Sequence, residues 1–200
     1  MGAETKDLLI DAAIRAIDQQ GEAGLRIREV SEEVGVAYTS VYHFFGSRDG
    51  LVEAAQFERY RRDLAEPLDH FRGLVATTTT KAEFRHAIRT MLNWVFTQER
   101  APRRLDRISA LGSALGRPDL AQRFAALHDE HITDLAEVMR QPQQQGWVRA
   151  DLDLRMVAAW YMGLVLGRTV IEFGGERDEH AAWNDIAANA ILSTLLTPDD

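Results

Sequence analysis

The chain of 200 residues contains no cysteine, and lysine occurs only at Lys6 and Lys81. The absence of cysteine excludes disulfides, thiolate catalysis and cysteine-ligated zinc sites. Glycine (14) and proline (5) are too few for a collagen-like or low-complexity chain. The 31 acidic residues outnumber the 23 basic ones, which gives a net charge of −8. This balance argues against a protein that coats nucleic acid by bulk positive charge.

Long hydrophobic runs are also scarce. The longest nearly apolar stretch, residues 156–167, is too short to span a bilayer and is bounded by Arg155 and Arg168. The N-terminus has early acidic residues and lacks the basic region that opens a secretory signal. We therefore expect a cytoplasmic protein that does not enter a membrane.

Helical periodicity runs along the whole chain, with no strand-like alternation and no βαβ rhythm. The apolar spacing predicts helices over 5–20, 28–34 and 38–45, and a fourth that starts at the cap Ser47 and ends at about Leu64, before Pro67. Five more are predicted over 81–99, 103–115, 118–141, 152–173 and 178–196. The predicted fold is all-α with about nine helices. It comprises an N-terminal three-helix helix-turn-helix domain (1–50) and a larger C-terminal helical domain (51–200).

Two short amphipathic helices are joined across Gly35-Val36 with a longer helix on either side, which is the arrangement of a helix-turn-helix. In the second short helix, Val41 and Phe45 lie four residues apart and must point inward. Thr39 and His43 then point outward, where a hydroxyl and an imidazole can reach bases or phosphates. This outward face is the predicted DNA-binding surface.

The charge pattern supports DNA contact locally, although residues 1–50 carry nine acidic and five basic side chains. The stretch 34–48 contains no Asp or Glu. The predicted DNA-facing helix is therefore free of carboxylates inside an acidic domain. The prediction requires Glu29, Glu32 and Glu33 to face away from the phosphates.

The segment 27–55, IREVSEEVGVAYTSVYHFFGSRDGLVEAA, resembles the DNA-binding segment of TetR-family transcriptional repressors. The resemblance covers residues 5–62, and its most specific elements are Gly35-Val36, Val41-Tyr42, Phe45, Ser47-Arg48-Asp49 and Leu51. It implies a homodimeric regulator whose first three helices bind double-stranded operator DNA. It also implies a larger C-terminal domain that dimerises through the last two helices and binds a small-molecule effector, which releases the DNA. No catalytic residue, cofactor or metal is implied.

Carried over by position, the resemblance implies these DNA-binding residues: Arg26, Arg28, Tyr38, Thr39, Ser40, Tyr42, His43 and Arg48. Among them, Tyr42 and Arg48 match contacts to backbone phosphate, and the other recognition-helix residues match contacts to bases or phosphate. Two positions depart from the family pattern, since Arg26 stands in place of Thr or Ser and Ala37 in place of Ser. Each departure removes a helix cap, at a cost of about 1 kcal/mol. Arg26 becomes a candidate phosphate ligand instead.

In the larger domain, aromatic and polar side chains on apolar helix faces are candidate effector ligands, because ligand sites combine the two. The candidates are Phe84, Met91, Trp94, Phe124, His128, Trp160 and Arg168. An apolar stripe is more typical of a core than of a pocket, so core packing stays open for each apolar candidate. Arg107 and Arg168 are suited either to an acidic ligand or to a salt bridge.

The candidate dimer interface lies on the last two helices. Gly163 and Gly167 are four residues apart on the eighth helix, so a second helix can approach closely. The remaining candidates on the ninth helix are Trp183, Ile186, Ala187 and Ala190. Packed against its symmetry mate, this face predicts a four-helix interface. Tight packing inside one subunit is the alternative.

The HDEH run sets His128 and His131 three residues apart on one side of a helix, a spacing compatible with a metal. No second cluster accompanies the run, so we expect no metal site. A helical metal-binding or enzymatic protein that carries a helix-turn-helix remains the main alternative. A helical module that binds protein instead of DNA is a third.

Overall fold

The computed structural model describes residues 2–173 and 179–198. The described residues form nine α-helices: α1 Gly2–Gly24, α2 Ile27–Val34, α3 Thr39–Phe45, α4 Arg48–Ala76, α5 Lys81–Val95, α6 Ala101–Ala114, α7 Pro118–Gln144, α8 Leu154–Glu172 and α9 Glu179–Leu195. A short 3-10 turn, Gln98–Arg100, precedes α6. The prediction of an all-α fold is confirmed.

The chain divides into two compact units. The first comprises residues 1–62 and 113–124, and the second comprises residues 63–112 and 125–200. The boundary expected at residue 50 therefore falls inside α4. It lies later because Leu51, Val52 and Ala55, in the first turns of α4, are fully buried in the core of the first unit.

The helix-turn-helix of the first unit is delimited by glycines. Gly35 follows α2 with a left-handed φ of 75°, and its N–H donates to the carbonyl of Glu32. Gly46 follows α3 with a φ of 73°, and its N–H donates to the carbonyl of Tyr42. A side chain at either position would be strained, so glycine ends both helices cleanly. The two short helices lie within one residue of their predicted bounds.

The fourth helix continues well past Leu64, although Pro67 lies inside it. Proline has no N–H, so the carbonyl of Asp63, four residues earlier, loses its helical donor. Arg107 replaces that donor: its Nη2 lies 3.0 Å from the Asp63 carbonyl oxygen, and its Nε donates to the Asp63 carboxylate. The prediction that the helix ends before Pro67 is therefore wrong, because a residue distant in sequence supplies the missing hydrogen bond.

A buried ion cluster joins α6 to α8 in the second unit. Arg104 and Arg168 are almost fully buried and share the carboxylate of Glu172. The Nε of Arg104 lies 3.0 and 2.9 Å from the two carboxylate oxygens, and the Nη1 of Arg168 lies 3.1 Å from one of them. Arg168 also donates to Asn184 at 2.9 Å. Among the described residues, this cluster holds two guanidinium groups against one carboxylate.

Helix α8 meets the length and apolar composition of a membrane-spanning helix. The helix is longer than the nearly apolar stretch 156–167, because it begins at Leu154 and continues through Arg168 to Glu172. One such helix is weak evidence, because core helices of soluble proteins pass the same test. Its buried face carries the Arg168–Glu172 ion pair described above.

Candidate nucleic-acid interface and effector cavity

The recognition helix α3 has a buried face and an exposed face, as its spacing predicts. Val41 is fully buried, whereas Thr39 and His43 are exposed. Tyr38 and Tyr42 are 60% and 50% exposed, and their rings meet edge to face with centroids 6.2 Å apart. Hydroxyl, imidazole and phenol groups therefore lie together on one accessible surface. Ser40, which is half-buried, borders the same surface.

The predicted DNA contact requires Glu29, Glu32 and Glu33 to face away from the phosphates. Arginines form ion pairs with two of these carboxylates. The Nη2 of Arg15 lies 2.6 Å from Glu33, and the Nε of Arg28 lies 2.9 Å from Glu32. Glu29 is exposed. The Arg28–Glu32 pair is highly exposed and four residues apart, so it contributes only about 0.3–0.5 kcal/mol. Arg28 can therefore exchange this partner for a phosphate at little cost.

Arg26 and Arg48 both bind backbone carbonyls near the end of α1. Arg26 precedes α2 without a side-chain cap, as predicted, and its Nη1 lies 2.7 Å from the carbonyl oxygen of Ala23. Arg48 places Nε 3.1 Å from the carbonyl oxygen of Leu25 and donates through Nη2 to that of Glu22. Arg48 thus ties the start of α4 to the end of α1. Sequence reasoning missed this structural role because the carbonyls lie more than 20 residues earlier.

A cavity of about 60 Å³, partly open to solvent, lies between α4, α5, α7, α8 and α9 in the second unit. Most of the lining side chains are aliphatic. Met91 and Trp160, two of the predicted effector ligands, line it. Phe71, His131 and Tyr161 also line it and were not among the effector candidates. The missed Phe71 lies in the part of α4 beyond Pro67, where no helix was predicted.

The other five predicted effector ligands do not line this cavity: Phe84, Trp94, Phe124, His128 and Arg168. Phe124 belongs to the first unit, where it packs against Tyr60 with ring centroids 4.8 Å apart. Trp94 supports the guanidinium of Arg100, which lies 3.7 Å from its ring centroid. Phe84 is fully buried in the core, and Arg168 belongs to the ion cluster. His128 is half-buried and lies one helical turn before His131, which does line the cavity. Helical periodicity marks an inward face but cannot separate core from cavity.

The two titratable groups in the cavity wall are uncharged at neutral pH. Burial, reinforced by the nearby charge of Arg107, lowers the pKa of His131 to about 4, against an opposing effect of Asp134. Burial raises the pKa of the Tyr161 hydroxyl to about 12. Among the described lining residues there is no Asp, Glu, Lys or Arg. The wall therefore offers hydrogen bonds but no formal charge.

We expect the free energy of unfolding to fall by about 2 kcal/mol between pH 7.5 and pH 5 on account of His131. The unfolded chain takes up a proton on this side chain near pH 6.5, whereas the folded protein does so only near pH 4, so acid favours unfolding in that window. Urea titrations of His131→Leu at both pH values should show a much smaller difference. His86→Leu, at an exposed histidine, is the control. A pH dependence that is equal in the two variants would contradict this assignment.

Across residues 2–173 and 179–198, no group of three or more His, Asp or Glu side chains is arranged to hold a metal ion. Within the HDEH run, His131 faces the cavity, and burial lowers the pKa of His128 as well. The run supplies two neighbouring imidazoles and no further ligand among the described residues.

Helix α8 exposes an apolar stripe at helical spacing. This α8 stripe consists of Phe173, which directly follows the helix, and six residues within it: Met156, Trp160, Gly163, Leu166, Gly167 and Val170. Val170 is 66% exposed, and Ile186 on α9 is 69% exposed. Trp183 and Ala190 are half-buried, and Ala187 is buried in the core of its own subunit. Some predicted interface residues therefore lie on the accessible surface, whereas Ala187 is packed inside its own subunit. The residue spacing of α9 alone could not distinguish the two groups.

Comparison with known proteins agrees with this geometry. Residues 9–55 match the model of "bacterial regulatory proteins, tetR family". The HTH-type transcriptional regulator BetI of Paraburkholderia phytofirmans is 35% identical over 79 residues, which cover 34% of this chain and 40% of that protein. The match therefore spans less than half the length of this curated relative.

Solved structures share the fold over nearly the full length. A TetR-family protein of Mesorhizobium loti has a TM-score of 0.76 at 17% identity, covering 98% of this chain and 99% of that one. A Saccharomonospora viridis regulator in complex with choline has a TM-score of 0.66 at 18% identity, covering 98% and 100%. At such identities the likeness concerns the fold alone. Residues 9–55 are thus similar to the DNA-binding segment of the TetR family, and the described chain shares the fold of solved TetR-family proteins over nearly its full length.

Proposed function

We propose that the protein is a ligand-responsive transcriptional regulator that represses by binding operator DNA as a homodimer in the cytoplasm. The observation that carries the proposal is α3, which buries Val41 and exposes Thr39, Tyr42 and His43. A short helix held by its apolar face and offering polar groups to solvent is suited to the major groove. The similar proteins are named as transcriptional regulators and not as enzymes.

The α8 stripe is the proposed dimer interface. Its glycines allow close helix contact, and the flanking Val170 and Phe173 supply apolar area. A symmetric pair offers two α3 helices to successive major grooves, about 34–36 Å apart. Dimerisation therefore doubles the contacts with an operator built of two half-sites.

The cavity in the second unit is the proposed effector site. Pro67, Leu68 and Phe71 of α4 line it, and the same helix supplies Leu51 and Val52 to the core of the first unit. A ligand that binds one conformation better shifts the population toward it. Moving DNA occupancy from 99:1 to 1:99 requires about a 10⁴-fold difference in affinity, or about 5.5 kcal/mol. Helix α4 is the proposed carrier of this change.

Substitutions on α3 test the DNA-binding role. We expect Tyr42→Phe to weaken binding to all duplexes, because the phenol donates to phosphate and reads no base. Thr39→Ala and His43→Ala should change the preferred sequence, with losses of about 1–3 kcal/mol at single base positions. The measurement is fluorescence anisotropy on duplexes selected from random DNA. Arg48 is left unaltered because its hydrogen bonds to α1 would confound the result.

The control for these variants is His86→Ala, since His86 is an exposed histidine in the second unit. It should leave both affinity and preferred sequence unchanged. Phosphate contacts are strongest at low salt, so the wild-type protein should bind duplexes at about 20 mM salt. Failure to bind any duplex there would rule out the proposed function and favour a module that binds protein.

A further inference from the structure

We propose that the effector is an uncharged, predominantly apolar molecule with one or two hydrogen-bonding groups, and not a quaternary ammonium ion. The inference rests on the proposed function, because it assigns a ligand class to the cavity proposed as the effector site. It also separates this chain from the Saccharomonospora viridis protein of similar fold, which was solved with choline.

The composition of the cavity wall is the first argument. Among the described lining residues, only three side chains carry nitrogen or oxygen atoms: His131, Trp160 and Tyr161. The rest are aliphatic side chains, methionines, phenylalanine and proline. An ion that enters such a site loses its hydration and meets no opposite charge among the described lining residues. The penalty in proteins is several kcal/mol per ion.

The surrounding charges are the second argument. His131 is neutral at pH 7, and the effect of Arg107 on it exceeds that of Asp134. Arg107 and Arg100 also act on Tyr161, both as positive charges. Each of these arginines is paired with a carboxylate, Arg107 with Asp63 and Arg100 with Glu66, so the charges around the wall are balanced and offer a cation no net attraction. Arg107 is itself held by the carboxylate and carbonyl of Asp63, so it is not available to pair with an anion.

Aromatic side chains do not reverse this conclusion. Phe71, Trp160 and Tyr161 line the cavity, and a cation placed over one aromatic ring gains about 0.5–2 kcal/mol. One such ring does not offset the several kcal/mol needed to desolvate the ion, and no carboxylate among the described lining residues adds to the gain. The imidazole of His131, the phenol of Tyr161 and the indole N–H of Trp160 match a hydroxyl, carbonyl or ether on a neutral ligand.

A pair of probes with the same shape tests the proposal. Choline carries a trimethylammonium group, and 3,3-dimethylbutan-1-ol has a carbon in place of its nitrogen; 2-cyclohexylethanol serves as a larger neutral probe. Binding is measured on the full-length protein by tryptophan fluorescence and by the shift in Tm. We expect each neutral alcohol to bind at least tenfold more tightly than choline. Choline binding as tightly as the alcohols, or no binding by either alcohol, would overturn the proposal.

Two substitutions in the wall sharpen the test. Leu135→Asp places a carboxylate in the cavity and should reverse the preference toward choline, whereas the matched Leu135→Asn should not. Ala158→Phe fills the cavity and should abolish alcohol binding. This variant tests the cavity independently if Leu135→Asp fails to fold. Unaltered alcohol binding by Ala158→Phe would contradict the assignment to this cavity.

The outcome is separable from that of the proposed function. DNA binding is measured on the same preparations without any probe. If DNA binds and choline is preferred, the ligand class alone is wrong. If no duplex binds at low salt, the regulatory function fails whatever the probes do.

Discussion

Glu172→Gln should lower the free energy of unfolding by about 3–5 kcal/mol, the usual effect of removing one partner from a buried ion pair. The amide keeps the size of the side chain but removes the negative charge that Arg104 and Arg168 share. Both guanidinium groups are almost fully buried, so neither can recover its hydration without opening the fold. Urea denaturation at pH 7, followed by circular dichroism, measures the loss.

The matched control is Glu130→Gln, because Glu130 is exposed on α7. Its effect should stay within about 0.5 kcal/mol, as for most surface substitutions. Replacing Arg168 by Met in the Glu172→Gln background should recover part of the lost stability, since it removes one uncompensated charge. If Glu172→Gln were as stable as the control, the cluster would not be a buried charge network in solution.

If the protein is the proposed dimer, Val170→Asp should convert it to a monomer and weaken operator binding by at least about 100-fold, which is the lower end of the advantage gained by linking two binding sites. The side chain lies in the α8 stripe and is 66% exposed in the single subunit. In a symmetric interface, two aspartates would be buried close together without partners, at a prohibitive desolvation cost. Analytical ultracentrifugation reports the mass, and fluorescence anisotropy reports the affinity.

Leu115→Asp is the control for that substitution. Leu115 is 92% exposed but lies outside the α8 stripe, so its replacement should change neither mass nor affinity. A Val170→Asp protein that remained dimeric and bound its operator normally would place the interface elsewhere. Loss of the dimer in both variants would point to a general effect of added charge.

The sequence allowed the helix-turn-helix to be predicted almost residue by residue. Its helices are short and bounded by Gly35 and Gly46, and the inward position of Val41 follows from helical spacing. These features are local, because they depend on backbone conformation and on side chains within a few residues. The all-α class and the order of the helices followed from the same kind of signal.

The effector candidates show where such reasoning stops. Met91 and Trp160 line the cavity, whereas Phe84 and Phe124 are packed in cores and Phe124 even belongs to the first unit. All four lie on the apolar faces of helices, so helical spacing predicts the same inward position for each of them. Which inward side chain meets a neighbour and which meets empty space depends on how several helices pack together.

From the sequence alone, one could determine the helical class, the turn at Gly35 and the polar face of α3, since nearby residues decide these. Only the tertiary structure decided that α4 continues through Pro67, that Arg48 binds the end of α1, and that Arg168 is buried with Glu172. Each of these depends on a hydrogen bond or ion pair between groups that only the folded chain brings together. Arg107 makes the point most directly, because a carbonyl left without a donor by proline is satisfied by a side chain from another helix.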